Sequence, residues 1–564
     1  MNRPLRIQIV SASLALILAG PARAQVSAGQ ILNNLRSEQR GRQALPTPTP
    51  GASAPPAQAS APASPRVGHP LHFVIRSVRF VGAPPRDQAA LQKLVAPDLN
   101  RSIDFQTLQQ AADRVAGYFQ QQGRLVHVLI PAQDITAGVV SLRIVHARLG
   151  QVQVTGAPAG DAPRLRDWVY DHVPRGKRIS LPALERSLLL LDDLPELAVS
   201  GALARGSEPG RSNLDLQVRP RPRVVGVASV DDYGTSSTGR MRTSGQLALN
   251  GLLGFGSRLA LNAMYSTGTT FGQLRFGMPV GDDGLRMGVD ASRMDYHVVG
   301  AAFQALAISG YTDSAGLHLS YPLLRTRPAN LLLKTGWNFD SIHNSNAAGE
   351  VADQTYDTRV GHLELDGNWL GRGVNTAALR LSAGSIGRNS AGPYNAQYDV
   401  AGNFAKLYYL ISHSQALAWG LSGSASLSGQ FANRNLDSSE QMYLGGPYGL
   451  RAYNSGQLPA TQGELLSLAL SKTLPWNTQL QGFYDFGSVQ TWKVAPAAEA
   501  AGNQYTVQDV GLGLSWWGPH GWTLTAAWAH RLGHLNPGVS QQLALNGGLA
   551  SSRLWVMASL PFDG

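Results

Sequence analysis

From Pro220 to Gly564 apolar and polar positions alternate with a period of two. Leu259, Leu261, Ala263 and Tyr265 interleave with Arg258, Ala260, Asn262 and Met264. Leu331, Leu333, Thr335 and Trp337 interleave with Asn330, Leu332, Lys334 and Gly336, and Leu363 and Leu365 with His362, Glu364, Asp366 and Asn368. Such alternation puts one set on each face of a strand. It predicts about sixteen strands of about ten residues, bounded by Gly, Asn, Asp and Pro clusters, with no helical period left in the region. Alternation alone fits a soluble barrel with its charged face outward and a membrane barrel with that face toward the lumen.

Three features select the membrane barrel. About sixteen strands leave a channel rather than a filled interior. Trp369, Trp476, Trp516, Trp517 and Trp522 fall near segment ends, as interface girdles require. The chain ends on an alternating run, Leu554, Val556, Ala558, Leu560 and Phe562, as outer-membrane barrels do.

Upstream the period changes. Residues 71–148 predict a small α+β domain in the order β-α-α-β-β. A strand runs from Phe73 to Phe80, helices cover Ala89–Val95 and Leu108–Gln121, and strands cover Leu125–Ile130 and Val139–Val145. Leu108, Ala111, Ala112, Val115 and Phe119 share one helix face, and Gly123 closes it. Residues 149–220 repeat the order, with helices at Pro163–His172 and Leu181–Leu191 and strands at Leu197–Ala204 and Asn213–Val218, so the unit is duplicated. Residues 25–44 predict a short helix with Ile31, Leu32 and Leu35 apolar, which needs a docking site to be stable. Residues 45–70 are a Pro/Ala/Ser-rich linker. Arg3, Arg6, the apolar run Ile7–Ala19 and Ala22-Arg23-Ala24 read as a secretory signal over 1–24, with the mature chain starting at Gln25.

Composition narrows the chemistry. There is no cysteine, so there is no disulfide framework and no thiolate chemistry. Gly 62 suits turn-rich β structure. The net charge of +11 is spread without a dense Lys/Arg run, which predicts a solvated surface or a basic pore lining and no nucleic acid partner. The thirteen His show no metal spacing, and no nucleophile elbow, P-loop or zinc-protease motif occurs. Asp192-Asp193 and Asp231-Asp232 are adjacent, which is turn and strand-end chemistry. We expect no enzyme, no cofactor and no metal.

The layout of signal, helix, Pro-rich linker, two β-α-α-β-β units and barrel resembles the two-partner secretion transporters, the ShlB/FhaC type of the BamA-like outer-membrane superfamily. The repeated units look like POTRA domains. Ile130-Pro131-Ala132-Gln133-Asp134-Ile135 with Gly138-Val139-Val140 resembles the end of the family's first one. Val230-Asp231-Asp232-Tyr233-Gly234 with Thr238-Gly239 resembles the opening of its barrel. After the eleventh segment, Leu444-Gly445-Gly446 and Leu450-Arg451-Ala452-Tyr453 resemble the family's Val-Arg-Gly-Tyr loop, with Ala452 where the pattern has Gly. Gly482-Phe483-Tyr484-Asp485-Phe486-Gly487 matches its Gly-Phe-x-Asp-x-Gly strand motif.

The resemblance implies that the loop folds into the lumen, where Arg451 pairs with Asp485, and that the N-terminal helix sits inside the barrel. Leu450, Arg451, Tyr453, Phe483, Asp485 and Gly487 are thus the expected loop-to-wall lock. Parity puts Phe483 and Asp485 on one face and Tyr484 and Phe486 toward lipid. The expected function is export of an unfolded secreted partner, a large β-helical adhesin, cytolysin or toxin. The protein would act as a monomer in contact with outer-membrane lipid and lipopolysaccharide. The partner would bind at the edges of the POTRA-like units, above all near Leu197–Val218. A barrel-assembly factor of the same superfamily usually lacks the helix and linker of 25–70, and a passive porin or uptake channel does not need 71–220.

Overall fold

The computed structural model describes residues 27–42, 45, 47–49, 72–158, 160–208, 210–299, 307–345, 354–387, 397–545 and 550–563. The expected signal, 1–24, and nearly all of the linker lie outside the described residues.

Sixteen antiparallel strands close into one barrel. Each pairs with its chain neighbours, and the last, Ser552–Asp563, returns to the first, Val224–Asp231, from Met557 opposite Asp231 to Asp563 opposite Val225. Closure leaves no strand edge, so every ladder has a partner. The two faces divide as their alternation predicts. Leu261, Leu274, Leu317 and Leu363 are exposed outward, whereas Gln273, Asp340, Glu364 and Asp366 are buried inward. Leucine outside and carboxylate inside inverts the order of a soluble protein, so lipid is the outer solvent.

Three expectations about the barrel need correction. Strand lengths are not uniform at about ten residues. They run from 8 in Val224–Asp231 to 17 in Ser309–Arg325, Ala329–Ser345 and Gln354–Leu370. The long strands reach past the lipid, and their outer ends carry Asp313 and Asp357 where leucine would otherwise stand. The five named tryptophans form one girdle, not two, because all of them lie at the short-turn rim from which the first strand starts. Helical structure also returns between strands, as in Pro537–Leu545 of the last long loop, whose Val539 and Leu543 are buried, and in the short 3-10 turns Ala418–Gly420, Ala497–Gly502 and Pro519–Gly521.

The first α+β unit comprises Phe73–Val74, Ser77–Val81, helices Gln88–Val95 and Phe105–Gln121, Val126–Leu129 and Val139–His146. The longer helix starts where Asp104 accepts the Thr107 N–H at 2.8 Å, buries the five-residue face named above, and ends before Gly123 at φ 73°. The single strand expected over Phe73–Phe80 is broken. Ile75 turns into the core, and the N–H groups of Arg76 and Ser77 both reach the Gly138 carbonyl, at 2.7 and 3.2 Å.

The second unit repeats the order with Arg148–Thr155, helices Asp161–His172 and Leu181–Asp192, Leu197–Arg205 and Arg211–Pro220. In both sheets the final strand is central, parallel to the first and antiparallel to the middle one. Within the stretch expected to take up the partner, Leu197–Val218, the two strands differ in exposure. Leu197–Arg205 is an edge, but Arg211–Pro220 is covered on both sides. This unit seats on the barrel rim through Asp193 and Arg325 (2.7 and 2.8 Å) and Glu185 and Arg327 (3.3 Å). Asp192 accepts from the Val199 N–H and Arg221, so the adjacent aspartates serve as structural anchors.

Candidate functional site: the filled lumen

Among the described residues, the N-terminal helix and one long loop both reach into the lumen. The helix Ala28–Arg42 buries Ala28, Ile31, Leu32 and Leu35 against wall residues that include Met264, Phe271, Met294 and Ile342. Charged anchors fix its polar side. Arg36 donates to both oxygens of Asp340, at 2.8 and 2.5 Å. Glu38 accepts from Arg242 at 3.1 and 3.0 Å, and Arg242 Nε donates to Asp231 at 2.8 Å. The helix thus ties the seventh strand to the first two.

The second element is the loop after the eleventh strand, Leu421–Ala432. Within it Met442–Tyr443 pairs with Pro459–Ala460, and the Leu450 N–H returns to the Leu444 carbonyl at 2.7 Å. That return needs glycine, because a Cβ on Gly449 would lie 2.1 Å from the Leu444 oxygen. The helix and the loop touch: Gln30 Nε2 donates to the Gly456 carbonyl at 2.8 Å, and Asn33 Nδ2 to that of Gln441 at 2.6 Å.

All six expected lock residues meet at one place. On the thirteenth strand, Thr478–Gln490, Phe483, Asp485 and Gly487 face inward and Tyr484 and Phe486 do not. Arg451 Nε lies 3.0 Å from Asp485 Oδ2, and its Nη2 donates to Oδ1 at 3.3 Å. The guanidinium stacks 3.6 Å from the Phe483 ring centroid. Leu450 and Tyr453 are buried in the cluster that contains Phe483, and burial holds the Tyr453 hydroxyl well above its ordinary pKa. Ala452 fits where the family pattern has Gly, because its backbone is not left-handed and its N–H donates to Asp509 Oδ2 at 2.9 Å.

Sequence reasoning missed three members. Asp509 lies directly across the ladder from Asp485, and both are fully buried. Trp555 Nε1 donates to the Arg451 carbonyl at 2.7 Å, and Gln481 accepts from Arg451 Nη1 at 3.4 Å. The signal for Asp509 was present, since Val507, Asp509 and Gly511 alternate in phase with an inward face.

Gly487 is what lets the loop reach the wall. A Cβ there would sit 2.6 Å from Leu450 Cδ1 and 3.1 Å from Leu444 Cδ2. Gly487→Leu is expected to leave the barrel heat-modifiable and to lower secretion per folded transporter by roughly tenfold, because overpacking at this contact costs about 1–3 kcal/mol and displaces the loop. Wild-type secretion from this variant would show that the close approach is dispensable.

A closed membrane barrel preceded by α+β domains, with a helix and a loop folded into its lumen, defines an outer-membrane barrel whose channel is filled from within. Residues 210–507 match the haemolysin secretion/activation protein family ShlB/FhaC/HecB and residues 73–147 the ShlB-type POTRA domain, and the chain belongs to that family. It is a two-partner secretion transporter of the outer membrane. The heme/hemopexin transporter protein HuxB of Haemophilus influenzae strain 86-028NP is 25% identical over 430 residues, 74% of this chain and 76% of HuxB. The outer membrane transporter CdiB of Dickeya dadantii is 23% identical over 409 residues, 69% of this chain and 71% of CdiB. In fold, the chain is similar to CdiB from Escherichia coli, with a TM-score of 0.68 at 18% identity over 96% of this chain and 100% of that one. BamA from Haemophilus ducreyi lacking POTRA domains 1-3 gives a TM-score of 0.52 at 14% identity, over 87% and 100% of the two chains.

Proposed function

We propose that the chain exports one large unfolded partner, a β-helical adhesin, cytolysin or toxin, through its own lumen, as a monomer and without enzymatic chemistry. The second unit, 149–220, serves as a second POTRA domain, and the free edge Leu197–Arg205 takes up an extended segment of the partner by strand addition. The observation that carries this reading is that both lumen elements are held by side-chain ion pairs, Arg36–Asp340, Glu38–Arg242 and Arg451–Asp485, while the wall behind them is already closed. Such elements leave without opening the barrel. Arg451, Asp485 and the residues packed on them, Leu450, Tyr453, Phe483 and Gly487, set the position of the loop past which the partner threads. Folding outside the cell makes passage one-way.

The helix is the plug of this device. A 26-residue linker of this composition, residues 45–70, would span about 25–30 Å if it behaved as a coil, enough for the helix to leave the lumen and return. Deleting 25–44 is expected to raise single-channel conductance in planar bilayers while secretion continues. Unchanged conductance would remove the plug. Loss of the whole chain is expected to leave other outer-membrane barrels at normal levels, and their depletion would favour an assembly factor instead.

A further inference from the structure

The segment Val230-Asp231-Asp232-Tyr233-Gly234 with Thr238-Gly239 opens the barrel and stands apart from the lock. Asp232 carries the seam past the end of its ladder. Its N–H donates to the Val556 carbonyl at 3.2 Å, and its Oδ1 accepts from the Val556 N–H at 2.8 Å. Gly234 then turns the chain back, its N–H reaching the Arg240 carbonyl at 2.9 Å, and a Cβ there would lie 2.0 Å from the Gly239 oxygen. The Thr238 carbonyl accepts from the Gly268 N–H at 2.9 Å and from Ser266 Oγ at 2.7 Å. The turn is thus a fixed base.

Tyr233 stands on that base and is buried. Its ring meets Tyr448 edge-on at 5.8 Å and Trp555 edge-on at 5.7 Å. Its carbonyl accepts from Ser455 Oγ at 2.6 Å. Tyr448 and Ser455 both belong to the inward loop, and they flank its lock residues, 450–453. Trp555 in turn donates to the Arg451 carbonyl. One tyrosine therefore clasps the loop on both sides of Arg451 and also touches the tryptophan behind it.

Arg242 joins this clasp to the lumen helix. Its guanidinium lies 5.9 Å from the Tyr233 ring centroid. Its Nε donates to Asp231 Oδ1 at 2.8 Å, and the same oxygen accepts the Tyr233 N–H at 3.0 Å. Both terminal nitrogens are taken by Glu38, at 3.1 and 3.0 Å. Arg242 and Asp231 are buried, so a lost partner is costly to this guanidinium. When the helix withdraws, Glu38 goes with it and the terminal nitrogens need another acceptor. Asp231 Oδ2 is already 3.4 Å from Nη2. Turning to it draws the cation off the Tyr233 ring and disturbs the carboxylate that caps the Tyr233 N–H.

We propose that Asp231, Arg242 and Tyr233 are positioning residues that couple the lumen helix to the loop. With Glu38 in place the clasp holds the loop at its lock, and withdrawal of the helix slackens it. Release then runs in order, helix first and loop second. The coupling is reciprocal, so a freed loop also loosens the helix. The bonds from Gln30 and Asn33 to the loop are a separate tether, which the test leaves intact. The inference rests on the reading of the helix as plug and the loop as lock, but its readout needs neither conductance nor an exported partner, so the two fail separately.

The chain has no cysteine, so Ala452→Cys places a lone thiol at a buried position of the loop. Its rate of alkylation by a maleimide, on the full chain in detergent, reports how often the loop leaves the wall. Leu444→Cys, also buried in the loop, serves where Ala452→Cys reacts fast with no further change. Heat-modifiable mobility shows that each variant is folded, and Asp231→Asn takes the place of an Arg242→Gln that does not pass. Glu38→Gln and Arg242→Gln are each expected to raise the rate roughly tenfold, as loss of a two-pronged charged contact predicts. The double variant is expected to react no faster than Arg242→Gln alone, because both act through one contact. Tyr233→Ala is expected to match them, and Tyr233→Phe, which keeps the ring, to react as wild type. A wild-type rate for Glu38→Gln or for Tyr233→Ala, or increases that multiply in the double variant, overturns the relay.

Discussion

Arg451→Ala and Asp485→Ala are each expected to cut secretion per folded transporter by roughly tenfold or more, with barrel levels near normal. Removing one member of a buried ion pair costs about 3–5 kcal/mol, because the other charge stays buried and unpaired. Here that cost falls on the loop, since Asp485 lies on a strand bonded on both sides and the loop is held by side chains. The two losses are not expected to be equal. Arg451→Ala leaves two facing carboxylates, Asp485 and Asp509, without the guanidinium that is paired with Asp485, and also removes the cation over Phe483. Asp485→Ala leaves Arg451 with Asp509 nearby, and the Ala452 N–H still bonded to it. Arginine loss should therefore be the more severe. Lysine at 451 keeps the charge but not the fork, and is expected to rescue only in part. The double variant should be little worse than Arg451→Ala alone, because the pair acts as one unit. The check is partner secreted per folded barrel for both singles and the double. If the losses multiply, the lock between them is wrong.

Much of this architecture was legible because β structure that separates two solvents has a period of two, and lipid and lumen impose it on every strand. Leu363 and Leu365 against Glu364 and Asp366 is the same statement in sequence and in space. The helix face Leu108–Phe119 was legible for the corresponding reason, with its cap and its closing glycine in place. Arg451 and Asp485 came from resemblance to a family, not from spacing, since nothing local says that two residues 34 positions apart meet. The inward phase of Asp509 could be read, but that Asp509 meets Asp485 and Trp555 meets Arg451 stayed hidden, because cross-strand register is set by turns and by closure of the whole barrel, which local pattern does not carry. The break at Ile75 was hidden for another reason: the carbonyl that bends the strand belongs to Gly138, far along the chain. The helix at Pro537–Leu545 is too short for its period to stand out, and it is held by burial of Val539 and Leu543 against the inward loop.

Deleting 149–219 is expected to abolish secretion while a heat-modifiable barrel still reaches the membrane. The deletion also removes the rim contacts Asp193–Arg325 and Glu185–Arg327, so a finer change separates capture from seating. Along the edge strand Leu197–Arg205, the Val199 N–H points away from the neighbouring strand, to Asp192 at 2.9 Å. Alternation then aims the N–H of Leu203 outward as well, into the position an added strand would use. Proline is tolerated at such a position because the ladder behind it keeps its bonds, but it removes the donor that an incoming segment needs. Leu203→Pro is therefore expected to lower secretion by roughly tenfold, loss of one edge donor plus steric exclusion by the ring being comparable to a buried unpaired group at about 1–3 kcal/mol. Leu203→Ala, which trims the same side chain and keeps the N–H, controls for lost packing and should secrete close to wild type. Partner bound to the detached periplasmic face in a pull-down with the full chain should fall in step with secretion for the proline variant only. Normal export from Leu203→Pro would place partner capture elsewhere, since the change blocks that edge while leaving the ladder behind it bonded.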